Sequence, residues 1–328
     1  MSARIADQAE MLANTGRAGE AAQLLFSAAA GGDAEALATL AQWRISGHVI
    51  RRNLPAARAL LARAGAAGHR DSALLHSYFL ASGTGGDADW AAALAEMRSL
   101  ASERPAAAAQ FRLLETMDSD GEGVPRSVSE TRQLSSAPYV IAAEGFATAA
   151  ECDYLINAAK GLLAPSMVVD PRSGRLVPHP IRTSDGAVFG VHTEDLVVNA
   201  INRRIAALSG TAIEQGEPLQ ILRYRRGAEY RAHMDALPAE PNQRILTVLV
   251  YLTDDYEGGE TSFLRTSLSF KGKKGDALLF RNVTATGEPD QAALHAGLPV
   301  TRGVKTIASR WIRERRFTYP PPPPLLDL

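Results

Sequence analysis

Along the first third of the chain, apolar positions recur at helical spacing, as in Ala56-Ala57-Arg58-Ala59-Leu60-Leu61 and in Leu74-Leu75 followed by Tyr78-Phe79-Leu80. That spacing lays an apolar stripe along a helix, and the scarcity of β-branched residues up to about residue 108 agrees with an all-helical segment. A repeat of period 36 runs through it: Ala21 recurs as Ala57 and Ala93, Leu25 as Leu61 and Met97, Gly32 as Gly68, and Gly47 as Gly83. Small residues let paired helices approach, and the glycines fall where the chain turns between them, which predicts about two and a half helical hairpins. Residues 116–136 (TMDSDGEGVPRSVSETRQLSS) are polar and carry Gly, Pro and Ser, the composition of a connection with little structure of its own.

From Tyr139 onward the pattern becomes that of strands. Runs such as Tyr139-Val140-Ile141, Met167-Val168-Val169 and Ile245 to Leu252 alternate with turn signals like Asp170-Pro171 and Gly258-Gly259. Two helices interrupt early. One is predicted from Ala149 to Leu162, with Thr148 as its cap and Glu151 completing a capping box, and the other from about Thr193 to Leu208. Helices followed by many short strands indicate an α+β chain with a β-sandwich or jelly-roll core. The run Pro320 to Pro324 can join neither a helix nor a sheet and is expected to be polyproline II.

The length of 328 residues suits about two domains. With 35 Lys+Arg against 36 Asp+Glu, the net charge of -1 gives no global attraction to nucleic acid or to an anionic membrane, and neither is expected as a partner. No stretch of 18 apolar residues occurs, and the first twenty residues carry dispersed charges, so neither a membrane span nor a signal peptide is expected. The single cysteine, Cys152, excludes an intrachain disulfide and a Cys-rich zinc site, points to a cytoplasmic setting, and leaves His and carboxylate as the available metal ligands.

The stretch from Leu219 to Asp235 carries the candidate chemistry. On a strand, His233 and Asp235 are two apart and leave the same face, so they can grip one ion. A third ligand is needed. His295 is a candidate, and Lys305 follows it by ten residues with Gly297, Pro299 and Gly303 between, so the chain can reverse and bring Lys305 back on the next strand. Two neutral imidazoles and a carboxylate occupy one face of Fe(II) and leave the other face open to a chelating co-substrate and dioxygen. Tyr224 precedes His233 by nine residues, an odd spacing that needs a bend, and Arg226-Gly227 offers one. His48, His69, His76, His179 and His192 have no ligand-like company, and Cys152 reads as a packing residue.

Residues 137–318 resemble the catalytic domain of the prolyl 4-hydroxylase family within the 2-oxoglutarate and Fe(II)-dependent dioxygenases. The resemblance rests on Glu151-Cys152 with Leu155-Ile156, Arg182-Thr183-Ser184, Tyr224 through Asp235, Thr247 to Leu252, Gly258-Gly259-Glu260-Thr261, Gly275 to Phe280, and Leu294-His295 through Lys305 to Trp311-Ile312, in that order. It implies a double-stranded β-helix core, His233, Asp235 and His295 as iron ligands, and Lys305 paired with the distal carboxylate of 2-oxoglutarate, with Tyr224 and Thr261 adding hydroxyl hydrogen bonds. It further implies Glu217, Tyr230, Arg244 and Trp311 along a peptide groove, dioxygen as co-substrate and ascorbate as reductant. The activity implied is procollagen-proline 4-dioxygenase-like: 2-oxoglutarate goes to succinate and carbon dioxide as a C–H bond, in proline above all, is hydroxylated.

The front segment, roughly residues 16–103, resembles a Sel1-like repeat, a relative of the tetratricopeptide repeat, and such arrays bind protein or peptide. The expected organisation is therefore a Sel1-like domain at 1–115, a linker at 116–136, the dioxygenase at 137–318 and a proline-rich tail at 319–328. The array either recruits a polypeptide or only supports its neighbour. Competing readings make the target another side chain, such as Asp or Arg of a tailored peptide, or the protein an oxygen-sensing scaffold with weak turnover. The tail could enter a neighbouring molecule's groove. Residues 236–243 form a shorter insert than many relatives carry, which implies a reduced lid, and RNVTATGEPDQAAL at 281–294 is expected to be a mobile loop.

Overall fold

The computed structural model describes residues 2–169, 176–319 and 326. The chain divides into two compact units, one made of Met1–Val124, Val191–Ala200 and Thr318–Leu328, the other of Pro125–Gly190 and Ile201–Phe317. The polyproline run lies outside the described residues.

The first unit contains α1 (Ser2–Asn14), α2 (Ala18–Ala30), α3 (Ala34–Ser46), α4 (Leu54–Ala66), α5 (Arg70–Ser82), α6 (Trp90–Ala101) and α7 (Pro105–Leu114), and consecutive helices pack on one another. The period of 36 is structural. Ala21, Ala57, Ala93, Leu25, Leu61 and Met97 are all fully buried, so each repeat sends the same two side chains into the same layer. Gly47 and Gly83 end α3 and α5 in the left-handed conformation that a β-carbon disfavours. The caps repeat too: Asp33 and His69 accept from the backbone N–H three residues on, as do Asn53 and Asp89. Three helical pairs follow α1, more than the repeat alone predicts, because α7 closes the last pair without the marker glycine, whose counterpart is Ser119.

In the second unit, α8 (Ala149–Ala159) is capped by Thr148 with the reciprocal Glu151 bond, and it stops before Gly161 rather than reaching Leu162. The helix α9 (Leu196–Ser209), whose residues up to Ala200 belong to the first unit, starts after Asp195, whose carboxylate accepts from Val198 N–H, so its cap is Asp195 and not Thr193. The strands are β1 (Thr131–Ser136), β2 (Tyr139–Ala143), β3 (Ala164–Pro165), β4 (Met167–Val169), β5 (Leu176–Pro178), β6 (Asp185–Val188), β7 (Gln220–Tyr224), β8 (Tyr230–His233), β9 (Arg244–Tyr251), β10 (Glu257–Gly258), β11 (Thr261–Phe263), β12 (Ser269–Phe270), β13 (Ala277–Arg281), β14 (His295–Gly297), β15 (Val300–Arg302) and β16 (Lys305–Arg313).

An eight-stranded sheet in the order β1-β2-β13-β9-β16-β7-β6-β3 and a four-stranded sheet in the order β12-β11-β14-β8 make the jelly roll. Their inner faces share a core containing Leu222, Leu249, Tyr251, Phe263, Phe280 and Ile307, and Phe263 of the small sheet meets Phe280 of the large one edge-on at 5.2 Å. β16 is buried along its whole length, which is why its sequence lacks the apolar and polar alternation of a half-exposed strand.

Two expectations fail. The last six residues of the presumed linker form β1, a polar edge strand paired with β2, and its side chains are mostly exposed, so apolar patterning gives no sign of it. The presumed mobile loop is a closed turn: Thr284 N–H donates to Glu288 O at 2.8 Å, Asp290 N–H to Asn282 O at 2.9 Å, and Asp290 caps a 3-10 turn at Gln291–Ala293.

Candidate active site

β7 ends at Tyr224 in the large sheet and β8 begins at Tyr230 in the small one. Gly227 takes a φ of 82° in the crossing, the bend that the odd Tyr224 to His233 spacing requires. His233 closes β8, and Asp235 lies just past the strand end, in a bend rather than on the strand itself. β14 pairs with β8 so that His295 sits directly opposite His233. The separation of 62 residues along the chain thus becomes nearest-neighbour contact by strand register alone.

His233, Asp235 and His295 each turn one potential ligand atom to a common point, all within 4.8 Å of one another. His233 Nε2 is 3.6 Å from Asp235 Oδ1, and His295 Nε2 is 3.8 Å from Asp235 Oδ2. Both imidazoles donate Nδ1–H to a backbone carbonyl two residues earlier, His233 to Arg231 O at 2.8 Å and His295 to Ala293 O at 2.9 Å. A carbonyl can only accept, so this fixes the tautomer that leaves Nε2 with its lone pair free for a cation. Burial first, and then the neighbouring His295, pull the His233 imidazole down to about 4. Burial works to raise the Asp235 carboxyl, but the fields of His295 and His233 and the Thr247 hydroxyl outweigh it and hold the group below the ordinary carboxylate range. At neutral pH the cluster therefore offers an unprotonated imidazole beside a carboxylate. That donor set fits Fe(II).

Behind the carboxylate, Thr247 Oγ1 donates to Asp235 Oδ2 at 2.6 Å and accepts from Asn282 Nδ2 at 2.9 Å. Sequence reasoning missed both residues, because the chain depends on β9 and β13 lying side by side. The Tyr230 ring stacks on the His233 imidazole at 3.4 Å between centroids, with the Arg182 guanidinium 5.4 Å from the same ring.

Lys305 opens β16, on the large sheet, opposite Tyr224 of β7. It lies two strands after His295, with β15 between them, and not on the next strand. Its side chain is 3% exposed, yet no carboxylate lies within 4.0 Å of Nζ among the described residues. Its hydrogen bond goes to Gly259 O at 2.7 Å, and its ammonium stands 5.5 Å from the Tyr224 ring centroid and 5.6 Å from that of Tyr251. Gly259 has a φ of 70° and a β-carbon there would come to 3.2 Å from Lys305 Cδ, so glycine permits the approach. Burial lowers the Lys305 ammonium to about 8, against the smaller upward pull of Glu260. A buried cation without a counter-charge is costly, and an anion arriving beside it would relieve that cost. Thr261 Oγ1 is 2.9 Å from Tyr251 OH, a second hydroxyl that sequence reasoning missed, and burial raises the hydroxyls of Tyr224 and Tyr251 so that both stay protonated donors.

These residues line one pocket of about 390 Å³, counting its mouth, with His233, Asp235, His295, Lys305, Tyr224, Thr261, Tyr230 and Trp311 in its wall. Glu217 and Arg244 stand outside that wall. Glu217 is buried and clamps Arg244 through two contacts of 2.6 and 2.9 Å, while Arg313 reaches it at 2.5 Å. Arg244 in turn lies 3.7 Å over the Trp311 ring. Glu217 thus anchors the guanidinium rather than facing an open groove. His179, His69 and His76 are all hydrogen-bonded, and Cys152 is buried with its thiol pushed up to about 12 by desolvation.

The family model of the 2OG-Fe(II) oxygenase superfamily matches residues 219–313. Among curated proteins, the chain is 37% identical over 208 residues to probable prolyl 4-hydroxylase 7 of Arabidopsis thaliana, covering 56% of this chain and 66% of the relative. It is 38% identical over 215 residues to prolyl 4-hydroxylase 2 of the same plant, covering 58% and 72%. Among solved structures, a viral collagen prolyl hydroxylase from Paramecium Bursaria Chlorella virus-1, in its 2OG complex, is 31% identical, with 55% of this chain and 98% of that chain covered and a TM-score of 0.44. The chain belongs to the prolyl 4-hydroxylase family of 2OG-Fe(II) oxygenases and is a 2-oxoglutarate-dependent dioxygenase.

Proposed function

We propose that this chain hydroxylates proline in a protein or peptide, with His233, Asp235 and His295 as the iron ligands and Lys305 as the anchor for 2-oxoglutarate. One observation carries the assignment of roles: the His-Asp-His cluster and a buried ammonium without an ion-pair partner among the described residues share a single pocket. The relatives' designation as prolyl 4-hydroxylases supports proline as the target.

Bound iron, 2-oxoglutarate and dioxygen together supply the oxidising power for C–H hydroxylation, and ascorbate serves as reductant. The chain's own residues do the rest. The fixed Nε2 lone pairs of His233 and His295 and the Asp235 carboxylate would hold the metal, with Thr247 and Asn282 keeping the carboxylate in place. Lys305 takes the distal carboxylate of the co-substrate, and the hydroxyls of Tyr224 and Thr261 add hydrogen bonds to it. Tyr230 and Trp311 give the mouth an apolar wall against which a proline ring can pack, and Glu217 holds Arg244 at its edge. The helical repeats, read as Sel1-like, recruit the polypeptide. The lone buried cysteine supports a reducing, cytoplasmic setting, and among the described residues no helix is long and apolar enough to cross a membrane.

The test is incubation with Fe(II), ascorbate, 2-oxoglutarate and a proline-containing peptide library. A gain of one oxygen localised to proline by fragment-ion masses is expected, with succinate formed in step. Oxygen found only on another side chain would overturn the choice of proline, and succinate formed equally by a His233→Ala variant would overturn the ligand assignment.

A further inference from the structure

The helical repeats contain a cleft that their own symmetry does not require. It encloses about 590 Å³, counting its open mouth, between α4, α5 and α6. One repeat earlier, the equivalent place between α2, α3 and α4 is filled. Leu37 and Leu40 are buried there, Leu60 packs against the same cluster, and Arg63 reaches across to donate to Ala29 O at 2.8 Å. Thirty-six residues on, those positions hold Ala73, His76, Glu96 and Ser99, and Gly65 stands where Ala29 did. Three aliphatic side chains and a guanidinium are thus replaced by two small residues and a His76–Glu96 pair, joined at 2.9 Å.

The filled slot shows what the open one lacks. In the first, the Arg63 cation sits at the C-terminal end of α2, where the helix dipole favours positive charge. In the second, Ser99 brings no cation to the corresponding end of α4, while a carboxylate, Glu96, now stands in the wall where the first slot has Leu60. The other charged group in the wall, Arg70, is held by Glu103 at 2.7 Å and so offers little repulsion to a second cation. We propose that this cleft binds the arginine side chain of a polypeptide, its guanidinium taking up the place that Arg63 fills one repeat earlier, against Glu96. A planar fork can serve a carboxylate and a backbone carbonyl at once, which an ammonium cannot. That such binding delivers substrate rests on the recruiting role proposed for the repeats, whereas the binding itself does not.

The experiment titrates the full chain with the capped tripeptide Gly-Arg-Gly and with its citrulline counterpart, which has nearly the same shape and no charge, following backbone amide signals of α5 and α6. Saturable shifts are expected with arginine, at least tenfold weaker with citrulline, and at least tenfold weaker in Glu96→Gln. Ser99→Arg, which supplies the first slot's own cation, and Ala73→Leu, which restores its bulk, should each abolish the response while keeping a cooperative thermal transition. Equal response to the two peptides, no saturable response, or undiminished binding in the filled variants would overturn the proposal. Proline substrates with and without an arginine then separate the two readings. Arginine binding with an unchanged KM upholds the cleft and removes its part in recruitment.

Discussion

The two units bury different things. Among the described residues of the first unit, Met1–Val124 buries the polar side chains Ser72, Ser77 and Gln110, none of them charged, between layers closed by Ala, Leu, Phe and Trp, and the segment Val191–Ala200 adds Asn199 and one charge, Asp195, at the start of α9. The jelly roll buries Glu151, Glu217, Asp235, Asp276, His295, Lys305, Arg310 and Arg313. The helical unit is assembled from neighbouring helices and local caps, whereas the sandwich places charges inside and neutralises most of them through contacts made across long stretches of sequence. The lesson is energetic. A buried charge is tolerable only when its partner is delivered with the fold, whether as an ion pair fixed by register or, for Asp276, as the backbone N–H groups of Gly145 and Lys273, whereas Lys305 meets the Gly259 carbonyl and no carboxylate among the described residues, and so marks a place where an anion comes from outside.

The largest effects should therefore follow from removing the charges that meet at the metal. His233→Ala, Asp235→Ala and treatment with a strong chelator should each reduce succinate formation to background. The ligand-free variants should unfold within a few degrees of the parent, as read by calorimetry. An active Asp235→Ala protein would break the comparison outright, because the buried carboxylate would then be serving structure alone.

Next in size is a purely structural charge. Glu151 is 2% exposed, completes the cap of α8 and is gripped by Arg204 through two contacts of 2.8 Å. Glu151→Ala would strand the Arg204 guanidinium, at a cost of about 3–5 kcal/mol in urea unfolding. Lys305→Met should act in the opposite direction on the ligand-free protein, leaving its stability equal or higher, while raising the KM for 2-oxoglutarate by on the order of 100-fold, as expected for a lost charge-assisted contact of about 3 kcal/mol. The pH dependence has a definite sign. The ammonium sits near 8 in the fold, below its ordinary value, so ligand-free stability rises as pH climbs from about 8 towards the unfolded value. An anion that pairs with the protonated form binds evenly below about pH 8 and more weakly above it. Isothermal titration with 2-oxoglutarate at pH 7, 8 and 9 checks this, and an affinity flat to pH 9 would remove Lys305 from the co-substrate site.

The difference between the units also explains what could be read from the chain. His233, Asp235, His295, Lys305, Tyr224 and Thr261 line the same pocket because they sit in motifs whose order survives in sequence. Thr247 and Tyr251 sit in one of those motifs, Thr247 to Leu252, but nothing in it marks either as a site residue, and Asn282 lies outside them all. Thr247 looks like any β-branched strand residue until Phe280 of β13 is set opposite it, which brings Asn282 within reach. β1 escaped for the converse reason: an edge strand reading TRQLSS has no apolar face to report it. In the helical unit the period of 36 exposed the repeating layers and turns from α2 to α6, whereas α1 precedes it and α7 lacks the marker glycine. Thr247→Val tests the hidden part directly. The loss of one hydroxyl behind Asp235 should weaken iron binding about 10–100-fold with little change in folding, which a metal titration would separate from activity.

The smallest effects lie in the caps, where the repeat provides its own control. Asp33 and His69 occupy equivalent positions 36 residues apart, and both accept from a backbone N–H, Asp33 from Ala36 and His69, through Nδ1, from Ser72. Asp33→Ala should cost about 1 kcal/mol, the ordinary worth of such a cap. If the imidazole of His69 caps by the same geometry, His69→Ala should cost a similar amount and His69→Asn, which keeps a neutral acceptor at the same reach, should recover most of it. Hydrogen exchange at the Ser72 amide gives a local measure, rising in the alanine variant and returning towards the parent rate in the asparagine one. Unchanged exchange in His69→Ala would mean that α5 is held by its packing alone, and the repetition of caps would then be a coincidence of sequence rather than a rule of the fold.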